Sequence, residues 1–153
     1  MSINISIKTI RKPFDLSSIE VNAPFACLLH SSQEYLTDDE MMLVANWLLS
    51  SGCNEVVCAG FRCSEWHNVI ETANMIREPS AKILITTTLS ENEAIENVIW
   101  HWLDVADYEN VTSQNILALL IGGSIAMKEK ALIGFKNYPF SSVMKLVLKE
   151  TNT

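Results

Sequence analysis

The 153-residue sequence predicts an α/β protein: a three-layer, doubly wound, mainly parallel sheet of four to six strands with helices on both faces. Two observations carry this. Short apolar runs alternate with amphipathic segments four times over. The runs are apolar at consecutive rather than alternate positions, as expected of strands covered on both sides. Alternation of this kind is the rhythm of right-handed βαβ crossovers. One domain spanning 1–153 is expected, since single domains commonly hold about 100–150 residues.

Residues Ile3 to Ile10 set Ile3, Ile5 and Ile7 against Asn4, Ser6 and Lys8, the period of a half-exposed strand and so an expected edge strand. Arg11 to Asn22, with Pro13, reads as a connection. Phe25 to His30 is the first buried strand, ending in Ser31, Ser32 and Gln33. Thr37-Asp38-Asp39-Glu40 has the form of a capping box. The helix it opens runs to Ser51 and stops at Gly52. Glu55 to Ala59 is the second buried strand, Gly60 its turn, and Ser64 the cap of a helix from Glu65 to about Arg77. Lys82 to Thr88 is a β-branched third strand. Ser90-Glu91-Asn92-Glu93 is a second capping box, for a helix reaching about Asp107. Asn115 to Ile121 is the fourth strand, closed by Gly122-Gly123 and followed by a helix over about Ser124 to Leu132. Ser142 to Leu148 admits strand or helix, with Val143, Lys145 and Val147 favouring strand.

Hydrophobic residues make up 48% of the chain and charged residues 19%, which argues against disorder. No apolar run reaches the ~18 residues that cross a bilayer, and MSINISIKTIRKP lacks the apolar block of a signal peptide. A cytoplasmic protein is expected. Cys27, Cys53 and Cys58 sit in or beside apolar runs, as free cysteines acting as small hydrophobes do. The net charge of −7 disfavours nucleic acid and anionic membrane as direct partners and leaves basic proteins and small molecules. No cofactor is expected. HSSQEYLTDDE contains no glycine and GGSIAMKEK lacks the glycine-lysine-serine/threonine order, so both common phosphate cradles are missing.

Ligands of open parallel sheets bind beyond the carboxyl ends of the strands, where the strand order reverses. Those ends carry His30, Ser31 and Ser32; Gly60, Phe61, Arg62 and Cys63; Thr86 to Thr88; and Gly122, Gly123 and Ser124. A flavodoxin-like order would put the first and third strands at the reversal. Capping and turn formation explain most of these residues. The stretch Asn54 to His67 offers more specific chemistry. Cys63 and His67 lie four apart on one helix, with His30 on a neighbouring strand, a set that could bind zinc but lacks a fourth ligand. Cys63 at a helix N-terminus could also be a nucleophile with His30 or His67 as base, against the plainer reading of a half-buried thiol beside a packing histidine.

Charge is unevenly distributed. From Glu91 to Asn110 there are six acids and no lysine or arginine, whereas lysines dominate after Val111. Trp100 and His101 fall off the apolar face set by Ile95, Ile99 and Trp102. Glu93, Glu96, Trp100, His101, Asp104 and Asp107 therefore form a candidate partner-binding face, an aromatic among carboxylates. A solvated acidic face with Trp100 beneath a loop accounts for the same residues.

FACLLHS, SGCNEVVCAGFRCSEWH and NILALLIGG together resemble a family of short, uncharacterised bacterial α/β proteins over Phe25 to Gly123. The resemblance implies a Rossmann-like fold and brings no established activity. In size, charge and fold the chain is also similar to the immunity partners of bacterial toxins. The expectation is a non-catalytic protein-binding module, immunity- or antitoxin-like, presenting an acidic surface to a basic partner such as a nuclease toxin. The alternative is a small metal- or thiol-dependent enzyme or ligand-binding domain at the strand ends. Self-association through the Ile3–Ile10 edge is a third expectation.

Overall fold

A computed structural model describes residues 2–32, 35–77, 83–87, 91–105, 115–140 and 145–150. Among the described residues, six strands and four helices follow in the order β1 (Ser2–Ile10), β2 (Phe25–Ser31), α1 (Asp38–Ser50), β3 (Cys53–Gly60), α2 (Cys63–Arg77), β4 (Leu84–Thr87), α3 (Ile95–Val105), β5 (Asn115–Ile121), α4 (Ile125–Asn137) and β6 (Lys145–Glu150). A single 3-10 turn, Leu16–Ser18, interrupts the connection from β1 to β2. The sheet order is β4-β3-β2-β5-β1-β6, and every pairing is parallel.

The layers follow from the alternation of side chains along each strand. Phe25, Cys27 and Leu29 of β2 pack with α1, α2 and the β1–β2 connection on one face. Ala26 and Leu28, with Ile3, Ile5 and Ile7 of β1, pack with α3 and α4 on the other. Steps toward β4 cross on the first face and steps toward β6 on the second, as one hand of crossover requires. The chain is therefore a three-layer, doubly wound, all-parallel α/β fold.

The N-terminal strand is not at an edge. It runs between β5, with Asn4 opposite Asn115, and β6, with Ile3 opposite Leu146. Its alternation has another cause: Ile3, Ile5 and Ile7 meet helices, while on the opposite side Asn4 and Ser6 lie under Glu20 to Asn22 of the β1–β2 connection and stay polar. The expected edge pairing through Ile3–Ile10 therefore has no open flank along Ile3 to Ile7. Among the described strands, the edges are β6 and β4. On β4 Leu84 is 58% exposed, which a strand buried on both faces would not allow.

Local signals set most boundaries. Thr37 Oγ1 accepts from the Glu40 N–H at 3.2 Å and Glu40 Oε1 from the Thr37 N–H at 2.9 Å, a complete capping box. Gly52 follows α1 at φ +98, and a Cβ there would lie 2.5 Å from that of Ala23. Two expected caps are corrected. α2 begins at Cys63, so Ser64 is inside its first turn. α3 begins at Ile95, so Glu93 precedes it, and Ser90 lies outside the described residues. α4 extends to Asn137, five residues past its expected end at Leu132, and the last segment is a strand over Lys145–Glu150. Among the described residues, no helix is long and apolar enough to cross a membrane.

Candidate ligand site at the strand ends

β2 leads to α1 on one face and its neighbour β5 leads to α4 on the other, so the winding reverses between them. The reversal thus pairs the Phe25 strand with the Asn115 strand, not with the third strand of the sequence reading, which is the edge β4. A doubly wound sheet opens a crevice at such a place, because the two following segments diverge. Here the crevice is a cleft of about 720 Å³ lined by Arg11, His30, Ser31, Ser32, Phe61, Gly122, Ser124, Met127 and Lys130, with the segment Glu91 to Ile95 along one side.

Main-chain hydrogen bonds fix its floor. The Ser32 N–H donates to Ile121 O at 2.9 Å, the Gly122 N–H to Ile10 O at 2.8 Å and the Phe61 N–H to Ser31 O at 2.8 Å. Four consecutive strands, β3, β2, β5 and β1, are laced together at their ends. Arg11 Nη2 donates to Gly123 O at 2.7 Å and holds the turn that leads into α4. Ser124 caps α4 by accepting from the Met127 N–H at 3.1 Å.

His30 is a buried polar group of the cleft, 5% exposed, beside the buried Ser31. Its alternation along β2 turns it toward α3 and α4, and its ring lies against Gly60, where a Cβ would come within 3.0 Å of Cε1. Nδ1 has no hydrogen-bond partner among the described residues. Burial holds the imidazole pKa below its ordinary value, so the neutral ring is favoured.

A second feature frames the rim. Arg62, at φ +60, donates through Nη1 to Leu36 O at 2.7 Å and through Nε to Glu65 Oε2 at 2.8 Å, while its main-chain N–H donates to Glu91 Oε1 at 3.0 Å. One residue thereby joins the segment before α1, the start of α2 and the segment before α3. The bond with Glu65 raises the arginine pKa and lowers that of the carboxylate.

Cys63, His67 and His30 are placed apart. Cys63, the first residue of α2, is 2% exposed and packed in the core between the sheet, α1 and α2. His67 Nδ1 shares a 2.6 Å hydrogen bond with Thr87 Oγ1, and Nε2 lies 3.4 Å from Glu71, so that ring ties α2 to β4. Only His30 lines the cleft. Among the described residues, no three His, Cys, Asp or Glu side chains converge as a metal site requires. Burial pushes the Cys53 thiol up to about 12, and raises those of Cys27 and Cys58 as well.

Two residues of the acidic face, Trp100 and Asp104, have intramolecular partners. Trp100 Nε1 donates to Gly134 O at 3.1 Å, and its ring meets Tyr138 edge-on at 5.5 Å. The Tyr138 hydroxyl donates to Asp104 Oδ1 at 2.8 Å. Glu96 is half-buried where α3 meets Gly134, with one carboxylate oxygen lacking a partner. Glu93 is half-buried on the cleft wall and His101 is exposed; Asp107 lies outside the described residues.

Sequence reasoning missed Arg11, read as part of a connection, Lys130, read only as charge, and Lys8, read as a solvent-facing strand residue. One signal was available for Lys8: an alternating strand in a sheet otherwise apolar on both faces marks a strand with one side thinly covered.

No curated protein and no solved structure matches the chain. A family model described as a domain of unknown function, DUF7684, matches residues 7–132, from within β1 to within α4, and so takes in the whole cleft. On that match, which spans most of the sequence, the chain belongs to the DUF7684 family.

Proposed function

We propose that this protein is a small-molecule-binding domain whose ligand occupies the cleft at the ends of β2 and β5. One observation carries the reading: a buried histidine with an unpartnered ring nitrogen lines the cleft where the winding of the sheet reverses. A buried polar atom without a partner costs about 1–3 kcal/mol, a cost that a bound ligand or water can remove. Ser32 and the first turn of α4 offer further donors around it, while the Ser31 hydroxyl donates to Ser32 O. The neutral imidazole, able both to donate and to accept, suits recognition of a hydroxyl, amide or protonated group.

The test is a thermal-shift screen of phosphorylated, carboxylate and neutral polar metabolites, followed by titration of each hit against the His30 Cε1–H resonance. A saturable movement of that resonance, abolished with the melting shift in His30→Leu, is the expected result. A panel that leaves the resonance unmoved overturns the reading.

The acidic face supports a second reading, binding of a basic protein partner as in an immunity protein. It is favoured by the absence, among the described residues, of any ion pair to Glu93, Glu96 or Asp104. Affinity capture with the wild type and with Glu93→Lys/Asp104→Lys checks it. Retention of the same partner by the reversed protein argues against this face.

A further inference from the structure

Lys8 points to the polar side of β1 and is 6% exposed, yet it makes no ion pair or hydrogen bond with any described residue. Its aliphatic stem is packed away while its ammonium keeps contact with water, with no carboxylate of the described residues beside it. Lys8 lines a second cleft, of about 820 Å³, on the far flank of Arg11 and Ser124. The two clefts share those two residues. Lys128, Asp15 and Glu129 line the second cleft as well.

The first turn of α4 opens into the same space at Ser124 and Ile125. The Ser124 hydroxyl is committed to the Met127 N–H. The N–H groups of Ile125 and Ala126 have no helical carbonyl to reach, and they sit at the positive end of the helix dipole. An unpaired ammonium on a buried stem and a helix N-terminus on one cavity are the parts of an anion site.

We propose that this cleft holds the anionic group of a small molecule, a phosphate or a carboxylate, whose body extends past Arg11 into the His30 cleft. Lys8 and Arg11 are its charge partners, and the first turn of α4 is its amide cradle. The inference rests on the strand-end reading and adds the class of ligand.

The experiment follows the Lys8 Cε resonance in the full chain during titration with inorganic phosphate and, separately, acetate, each at ionic strength held constant with chloride. Lys8 is expected to move saturably with one anion and to stay still in chloride; the anion that binds more tightly identifies the group. Lys8→Met is expected to melt no lower than the wild type without ligand, because a thioether replaces an unpaired ammonium. It should weaken that anion at least about tenfold. A Lys8 signal silent in both titrations overturns the proposal, as does wild-type anion affinity in Lys8→Met. Should Lys8→Met fail to fold, the wild-type resonance decides alone. If Lys8 is silent while His30 answers a neutral compound, this inference falls and the strand-end reading stands. If His30 is also silent across the whole panel, both fall.

Discussion

The main-chain N–H of Phe61 donates to the carbonyl of Ser31 at 2.8 Å, fastening the end of β3 to the end of β2 at the rim of the cleft. Gly60 makes that approach possible. It sits at φ +80, and a Cβ there would lie 2.2 Å from the Ser31 oxygen. Gly60→Ala should lose about 2 kcal/mol or more to backbone strain alone, seen as a lower urea midpoint. Because the same Cβ would press on His30, any ligand response at the cleft should weaken along with stability.

The stability of the protein should depend on the protonation of His30. Its folded pKa is depressed by burial, while the unfolded chain titrates near the ordinary value of about 6.5. Below that value the unfolded state binds more protons than the folded one. The contribution is fully present above about pH 6.5 and is lost as pH falls toward the folded pKa. Urea midpoints measured from pH 7.5 down to pH 5 should fall more steeply for the wild type than for His30→Gln; parallel curves would show that another group governs that range.

Arg62 joins three segments, and no shorter cation can replace it. Arg62→Lys should lower the melting temperature nearly as much as Arg62→Ala, because a single ammonium cannot reproduce the fork that meets Leu36 O and Glu65 together. Thermal melts of the two variants beside the wild type check this, and full recovery by lysine would contradict it.

All four cysteines are buried, and burial raises the pKa of Cys27, Cys53 and Cys58. A thiol reagent applied at pH 8 should modify none of them within minutes in the folded protein and all of them in urea, since the thiolate is the reacting form. Rapid native labelling at Cys63 would revive the thiol-enzyme alternative.

Much of the architecture was legible because its signals are local. The capping box at Thr37 is contained within four residues, and the apolar runs of β2, β3 and β5 are long enough to declare strands covered on both faces. Strand order is another matter. Nothing local to Ile3–Ile10 says that β5 and β6 flank it, and the polar side that made it read as an edge reflects what roofs the sheet, not who its neighbours are. The cleft was half legible for the same reason. The strand ends named His30, Ser31 and Ser124, but Lys8 and Arg11 reach the site only through the placement of β1 beside β5. Cys63 and His67 share a helix with the right spacing for joint chemistry, yet the core claims the first and Thr87 the second.

The central position of β1 also bears on how the molecule is made. Asn4 hydrogen-bonds to Asn115 across 111 positions of sequence, so β1 must wait, its isoleucines unsheltered, for a partner more than a hundred residues away. β2, β3 and β4 are near neighbours in the chain and can assemble as a nucleus, after which β5 offers β1 its first docking flank and β6 its second. Long-range closure of this kind slows folding. It makes β1 the strand whose apolar side stays uncovered longest.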